Sequence, residues 1–208
     1  MYAKVPVVQK AILQLKATLL ATDPPVWRRI LVPAKYSFAD LHAALQDAFG
    51  WTDSHLHHFL TENPYKRNAS YKRISLPMPD IDLPDEEPSL DELKEKISAW
   101  LVKPEDTVYY EYDLGDSWMH EVKLEKILPA QPKEQYPRLV NGANACPPED
   151  CGGPSGYAHL LALVGDPNDE EHDEMIQWLG IDNSEEFDPT FFNPKDVLFR
   201  VHNRAKRR

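Results

Sequence analysis

The chain has 208 residues, a hydrophobic share of 42%, a charged share of 27% and a formal net charge of −11. That length lets folding bury roughly 70% of the unfolded chain's surface, so a core forms without disulfide or metal staples. The composition is that of a globular protein, with no apolar run long enough to span a bilayer and no signal-like start, so a cytoplasmic location with both cysteines reduced is expected. The acidic balance argues against a general polyanion binder, because counterion release needs a surface rich in Lys and Arg.

In chain order, residues 11–20 alternate Leu13, Leu15, Ala17 and Leu19 with Gln14, Lys16 and Thr18, the period of a half-buried strand. After Asp23-Pro24-Pro25, residues 26–32 read as a second strand returning beside the first. Ser37 fits an N-cap with Asp40 three residues on, and Phe38, Leu41, Leu45, Ala48 and Phe49 follow at helical spacing, with Gly50 as the stop. Residues 55–61 form a third predicted strand, with His55, His57 and Phe59 on one face and Leu56, His58 and Leu60 on the other. Residues 62–88 show no sustained period and are expected to be a long excursion. Ser89-Leu90-Asp91-Glu92 has the form of a capping box and predicts a helix to Leu101.

Residues 107–113 and 117–127 alternate as two strands of a hairpin, with Trp118, His120, Val122 and Leu124 facing the core side. Gly115 is expected to supply the positive φ of the turn, and Asp113 and Asp116 to bond its backbone. Residues 130–154 carry no strand or helix signal. Ser155 is the expected cap of a helix bearing Tyr157, Leu160, Leu161 and Val164. A second helix starts after Asp169-Glu170-Glu171, stops at Gly180, and is followed by a last helix opened by Asn193-Pro194. The element order predicts an α+β fold, a largely antiparallel sheet with helices packed on it. One domain over 1–208 is expected, with its core at 11–201 and a basic tail at 202–208. The final helices forming a small separate lobe is the alternative.

Three motifs hold most of the potential ligands. Cys146 and Cys151 are separated by four residues, a spacing zinc loops permit, and His55, His57 and His120 would complete a His/Cys set suited to a divalent metal, zinc first. The same cysteines also suit a buried apolar role, and the histidine pair a packed sheet surface. Asp113 and Asp116 could hold a cation through oxygen, though Asp beside Gly equally serves a turn. The aromatic group of Tyr109, Tyr110, Tyr112 and Trp118 reads as sheet packing, with base stacking as the alternative. Lys66, Arg67, Lys72 and Arg73, beside Tyr65 and Tyr71, form a short basic stretch that could meet nucleic acid or simply be solvated. Phosphate-loop, Gly-x-Ser-x-Gly, dinucleotide and His-Glu-x-x-His motifs are all missing.

Pro24 to Arg29, Leu41-His42 through Phe49-Gly50-Trp51, Ser54-His55-Leu56-His57, Tyr112 to His120 and Cys146 to Pro154 together resemble the plasmid pRiA4b ORF-3-like family. The resemblance implies that His55, His57, Asp113, Gly115, Asp116, Trp118, His120, Cys146, Glu149 and Cys151 belong to the family pattern, while the basic stretch lies in a variable loop. Some members of that family carry resolvase-like or repressor-like labels or are joined to a DNA-binding domain, but no helix-turn-helix is recognisable in this chain. Two functions are therefore expected. One is a binding or regulatory module linked to plasmids or mobile elements, with a protein or nucleic-acid partner and no membrane. The other is a metal-dependent hydrolytic enzyme with His55, His57, His120 and the cysteines around the metal and an Asp or Glu149 as base.

Overall fold

The computed structural model describes residues 11–77 and 89–200. Among these, eight strands form one sheet: β1 (Ala11–Leu19), β2 (Trp27–Pro33), β3 (His57–Leu60), β4 (Arg73–Ser75), β5 (Leu90–Asp91), β6 (Thr107–Tyr112), β7 (Trp118–Pro129) and β8 (Arg138–Ala143). Their order across the sheet is β5-β4-β3-β6-β7-β1-β2-β8. Every pairing is antiparallel except the short β4–β5 contact, so the expected α+β fold with a largely antiparallel sheet is the observed one. The helices are α1 (Phe38–Phe49), α2 (Gly153–Gly165) and α3 (His172–Leu179).

Strand alternation sorts the two faces. Leu13, Leu15, Ala17 and Leu19 of β1, Ile30 and Val32 of β2, Phe59 of β3, Val108, Tyr110 and Tyr112 of β6, and Trp118, Val122 and Leu124 of β7 share one core with Phe38, Leu41, Leu45, Ala48 and Phe49 of α1. The opposite face is largely polar, with Gln14 and a bidentate Arg29 both bonded to Glu125 and only a small cluster of Leu60, Tyr109 and Met119. Helix α1 starts as its sequence dictates. The Ser37 hydroxyl accepts from the Asp40 N–H, the Asp40 carboxylate accepts from the Ser37 N–H, and Gly50 takes the left-handed turn at φ +89°.

Arg28 locks α1 to the sheet edge. It is buried, donates to the carbonyls of Trp27, Ala48, Ala143 and Asn144, and lies 3.9 Å from the Phe192 ring centroid. Burial lowers its pKa to about 10. The Ala48 carbonyl belongs to the last turn of α1, where the helix dipole favours a cation.

Five sequence expectations change, one of them inside the 62–88 excursion, where Arg73–Ser75 forms β4 against β3. The helix expected over 89–101 is replaced by β5, a turn and a 3₁₀ turn at Ile97–Ala99. Its backbone groups are spent on neighbours: Phe38 N–H donates to the Glu95 carbonyl, Ala39 N–H to the Glu92 carbonyl, and Ile97 N–H to the Tyr36 carbonyl. The Asp91 carboxylate meanwhile accepts from the Leu93 N–H, closing a turn in place of a helical start. Among the described residues the last helix is also missing. Asn193 and Asp196 hold a turn, and the chain then runs on to Arg200, whose N–H reaches Asp47 of α1 at 2.8 Å. Strand β8 lies in a stretch expected to be irregular, because an edge strand of sequence RLVNGA carries no hydrophobic alternation. Helix α2 begins at Gly153, two residues before Ser155, with Gly152 as its cap at φ +85°. Tyr157 and Leu160 of α2 join the main core. The tail at 202–208 and residues 78–88 of the 62–88 excursion lie outside the described residues.

Arg28→Lys is expected to cost about 3 kcal/mol in urea unfolding, because a single ammonium cannot serve four carbonyls in fork geometry and leaves buried acceptors unmet.

Candidate functional site

Three segments distant in sequence converge at one end of the sheet. They are the loop 51–55 between α1 and β3, the hairpin turn 113–117 between β6 and β7, and the cysteine-bearing loop 146–153 before α2. Glu149 is the bond between them. Its carboxylate accepts from the Tyr112 hydroxyl at 2.5 Å, the Thr52 hydroxyl at 2.5 Å and the Thr52 N–H at 3.3 Å. The same Tyr112 oxygen accepts from the Ser54 N–H at 3.0 Å. Burial, followed by the Glu149 contact, holds the Tyr112 hydroxyl well above the ordinary tyrosine range. Trp51 donates its indole N–H to the Pro147 carbonyl at 3.1 Å, and the Asp116 carboxylate accepts from the Gly152 N–H at 3.1 Å.

The hairpin turn is made by aspartate chemistry, though not at the glycine. Asp113 and Ser117 take the left-handed conformation, at φ 57° and 55°, and Gly115 does not. The Asp113 Oδ1 accepts from the N–H groups of Gly115 and Asp116, and Ser117 N–H donates to the Asp113 carbonyl, which offsets the cost of a positive φ. This leaves Asp113 Oδ2 facing His55 Nδ1 at 3.5 Å, while His55 Nε2 lies 3.1 Å from Asp150 Oδ1 without hydrogen-bond alignment. His55, Asp113 and Asp150 thus place one donor atom each within 4.8 Å of one another. Asp150 is 71% exposed, and Leu56 and Leu114 beside this cluster are 54% and 49% exposed.

His57 lies on the inward face of β3, as alternation requires, and enters a second cluster under α1. Its ring stacks on His42 with centroids 3.4 Å apart and planes within 1°. His42 Nδ1 meets the Tyr110 hydroxyl at 2.8 Å and His42 Nε2 meets Asp53 Oδ1 at 2.7 Å. Gln46 fixes the polarity: its Oε1 accepts from the Asp53 N–H, so its amide N–H donates to the Tyr110 oxygen. Tyr110 then donates to Nδ1, and His42 Nε2–H donates to Asp53. Burial lowers the His42 pKa against the opposing Asp53 bond, with His57 lowering it further, and burial raises the Tyr110 pKa well above its usual value. His57 Nε2 meets Glu92 Oε2 at 2.8 Å.

The sequence-predicted His/Cys set does not form one centre. Among the described residues, neither three-donor cluster contains a cysteine or His120. His120 is fully enclosed, its Nδ1–H shared between the carbonyls of Trp118 at 2.9 Å and Tyr110 at 3.2 Å, with Phe49 and Trp51 packed edge-on against it. Burial lowers its pKa to about 4. The cysteines pack against the core, and burial pushes the Cys146 thiol far up and Cys151 to about 11, the opposite of an activated nucleophile. Trp118 is buried in the same core. The basic stretch lies around β4: Lys66 is 3.9 Å from Glu62, Arg67 and Lys72 are exposed, and Arg73 lies near Glu111, which His58 also pairs at 2.8 Å. Positive charge there is interleaved with carboxylates.

His42, Asp53, Glu92 and Asp150 were not singled out by sequence. His42 had a signal, a polar residue on the apolar face of α1 four residues after Phe38 and three before Leu45. Glu92 was hidden inside the apparent capping box.

A sheet of this topology, with three segments distant in sequence joined at one end through Glu149 and Asp116, defines an α+β protein with a polar hub at that end of the sheet. The family model described as plasmid pRiA4b ORF-3-like protein matches residues 11–196, and the chain belongs to that family. It is 36% identical over 174 residues to the uncharacterized protein y4hQ of Sinorhizobium fredii (strain NBRC 101917 / NGR234), covering 82% of this chain and 81% of that protein. It is 37% identical to the crystal structure of a protein of unknown function, MM3350 from Methanosarcina mazei Go1. That match has a TM-score of 0.77 and covers 91% of this chain and 99% of the other.

Two outcomes follow from this geometry. At Gly153, φ is +68° and an added Cβ would stand 2.3 Å from the Asp116 carbonyl oxygen. Gly153→Ala should therefore cost at least about 2 kcal/mol in thermal unfolding, whereas Gly165→Ala, with open space around it, should be neutral or stabilising. His120 has a folded pKa of about 4 against 6.5 for the free side chain, so the unfolded chain binds its proton first and stability falls as pH drops from 6.5 toward 4. The loss between pH 7 and pH 5 should be about 2 kcal/mol larger for the wild type than for His120→Gln, measured by urea unfolding at both pH values.

Proposed function

We propose that the protein is a binding module of regulatory type whose recognition face is the end of the sheet where loop 51–55, turn 113–117 and loop 146–153 meet. The observation that carries this reading is the way the polar groups there are used. Glu149, Tyr112, Thr52, Asp116 and the Asp113 Oδ1 are spent on one another and on backbone N–H groups, which builds a rigid platform. What the platform presents outward is apolar and acidic: Leu56, Leu114 and Asp150, with His55 between the two aspartates. Preorganised surfaces of this kind lose little entropy on association. Such a face suits a protein partner with apolar and basic side chains. The plasmid or mobile-element setting comes from the family description.

The alternative, metal-dependent hydrolysis, draws support from the donor atoms of His55, Asp113 and Asp150. It is the weaker reading for the sequence-predicted ligand set, since Cys146, Cys151 and His120 stand outside that cluster and burial favours the neutral form of both thiols.

Pull-down with the immobilised full chain tests the binding reading. A partner retained by the wild type should be lost at least about tenfold in the Leu56→Asp/Leu114→Asp variant, with the fold unchanged by circular dichroism. Retention that survives this variant counts against the face. Retention of DNA that falls steeply with salt and disappears when Lys66, Arg67, Lys72 and Arg73 are replaced by Ala would move recognition to β4.

A further inference from the structure

The cluster under α1 holds a buried carboxylate that its neighbours satisfy only in part. Glu92 is 0% exposed, yet only its Oε2 is bonded, to His57, and its Oε1 has no hydrogen-bond partner. Asp53 brings a second carboxylate to the adjacent ring, 2.7 Å from His42 Nε2. A buried, half-satisfied carboxylate costs several kcal/mol. The two rings stack face to face with centroids 3.4 Å apart, which brings the two carboxylate-bonded nitrogens into one neighbourhood. One divalent cation would balance the charge of the two carboxylates and give the open Glu92 oxygen a partner.

The donor set is suited to that role. His42, Asp53 and His57 each place a donor atom within 4.8 Å of the others, and Glu92 Oε2 is 2.8 Å from His57 Nε2. Two imidazole nitrogens with two carboxylates match a first-row divalent ion of the zinc type better than calcium or magnesium, which prefer all-oxygen sites. The supports behind the donors are also built. Tyr110 holds the far nitrogen of His42, and Gln46 holds both Tyr110 and the backbone of Asp53. Such outer contacts orient metal-ligating histidines.

We propose that Nε2 of His42, Nε2 of His57 and the carboxylates of Asp53 and Glu92 form a site for one first-row divalent cation. Binding replaces the two Nε2–H···carboxylate bonds and tilts the rings out of parallel so that both lone pairs meet at one point. Ligation through Nε2 requires each ring's proton on Nδ1, so the His42–Tyr110 bond reverses: Nδ1–H donates to the Tyr110 oxygen and the Tyr110 hydroxyl proton turns away from the ring. Four protein ligands make a closed site, the pattern of a structural or regulatory metal rather than a catalytic one. Because Asp53 lies in loop 51–55, the cation would tie that loop to α1, β3 and the chain just after β5. This inference does not rest on the binding face proposed above and stands or falls separately.

The test is titration of the full chain, free of any histidine tag and stripped with chelator, with Zn²⁺ by calorimetry and with Co²⁺ by visible absorption. One saturable equivalent is expected, with cobalt bands that lack a thiolate charge-transfer component. His57→Gln and Glu92→Gln should each weaken binding at least about tenfold, and Asp53→Asn, at the more exposed position, should do the same if either buried variant fails to fold. His55→Gln, Cys146→Ser and Cys151→Ser should bind as the wild type does. The proposal is overturned by absence of saturable binding, or by loss of binding in the His55 or cysteine variants while Glu92→Gln and Asp53→Asn bind normally.

Discussion

A buried polar side chain costs stability unless it finds a partner, and that constraint organises the structure around α1 and β6. Leaving a buried donor or acceptor unmet costs about 1–3 kcal/mol. His42, Gln46, Tyr110 and Asp53 answer it as one chain of hydrogen bonds, and in doing so set the distance between α1, the loop after it and the central strand of the sheet. Arg28 answers the same constraint at the other side of α1 by gathering four carbonyls from β2, α1 and the residues around the end of β8. The apolar core supplies the bulk of the stabilisation, but these polar contacts select the register in which α1 lies on the sheet.

Strands β1, β2, β3, β6 and β7 and helix α1 were legible in the sequence because their signals are local. Period-two alternation in β1, β6 and β7 and the Ser37–Asp40 capping box depend on residues a few positions apart, and tertiary contacts reinforce them. The failures are non-local. The Ser89 capping box is as good on paper as the Ser37 one, but Glu92 turns inward to His57 and the surrounding backbone binds the start of α1. Strand β8 exists because β2 offers an edge, not because its own residues alternate. The three motifs were recognisable from composition, and they do meet, yet their grouping was not: His55 goes with Asp113 and Asp150, His57 with His42 and Asp53, and His120 with neither. Only the fold decides which of several histidines share a neighbourhood.

The cysteines show the same division between residue type and environment. A Cys-x₄-Cys spacing suggests metal chemistry, but here the surroundings are apolar and favour the neutral thiols. Carboxylates and imidazoles carry the polar work of the site, and the cysteine loop contributes Glu149 and Asp150 to it.

Glu149 ties together parts of the chain that lie far apart in sequence. Its bonds to Thr52 join residues 97 positions apart, its bond to Tyr112 spans 37, and the Asp116–Gly152 bond spans 36. The face at this end of the sheet is therefore discontinuous, assembled from three chain segments that share no sequence neighbourhood. No linear peptide cut from the chain reproduces it. Whatever recognises that face recognises the folded state itself.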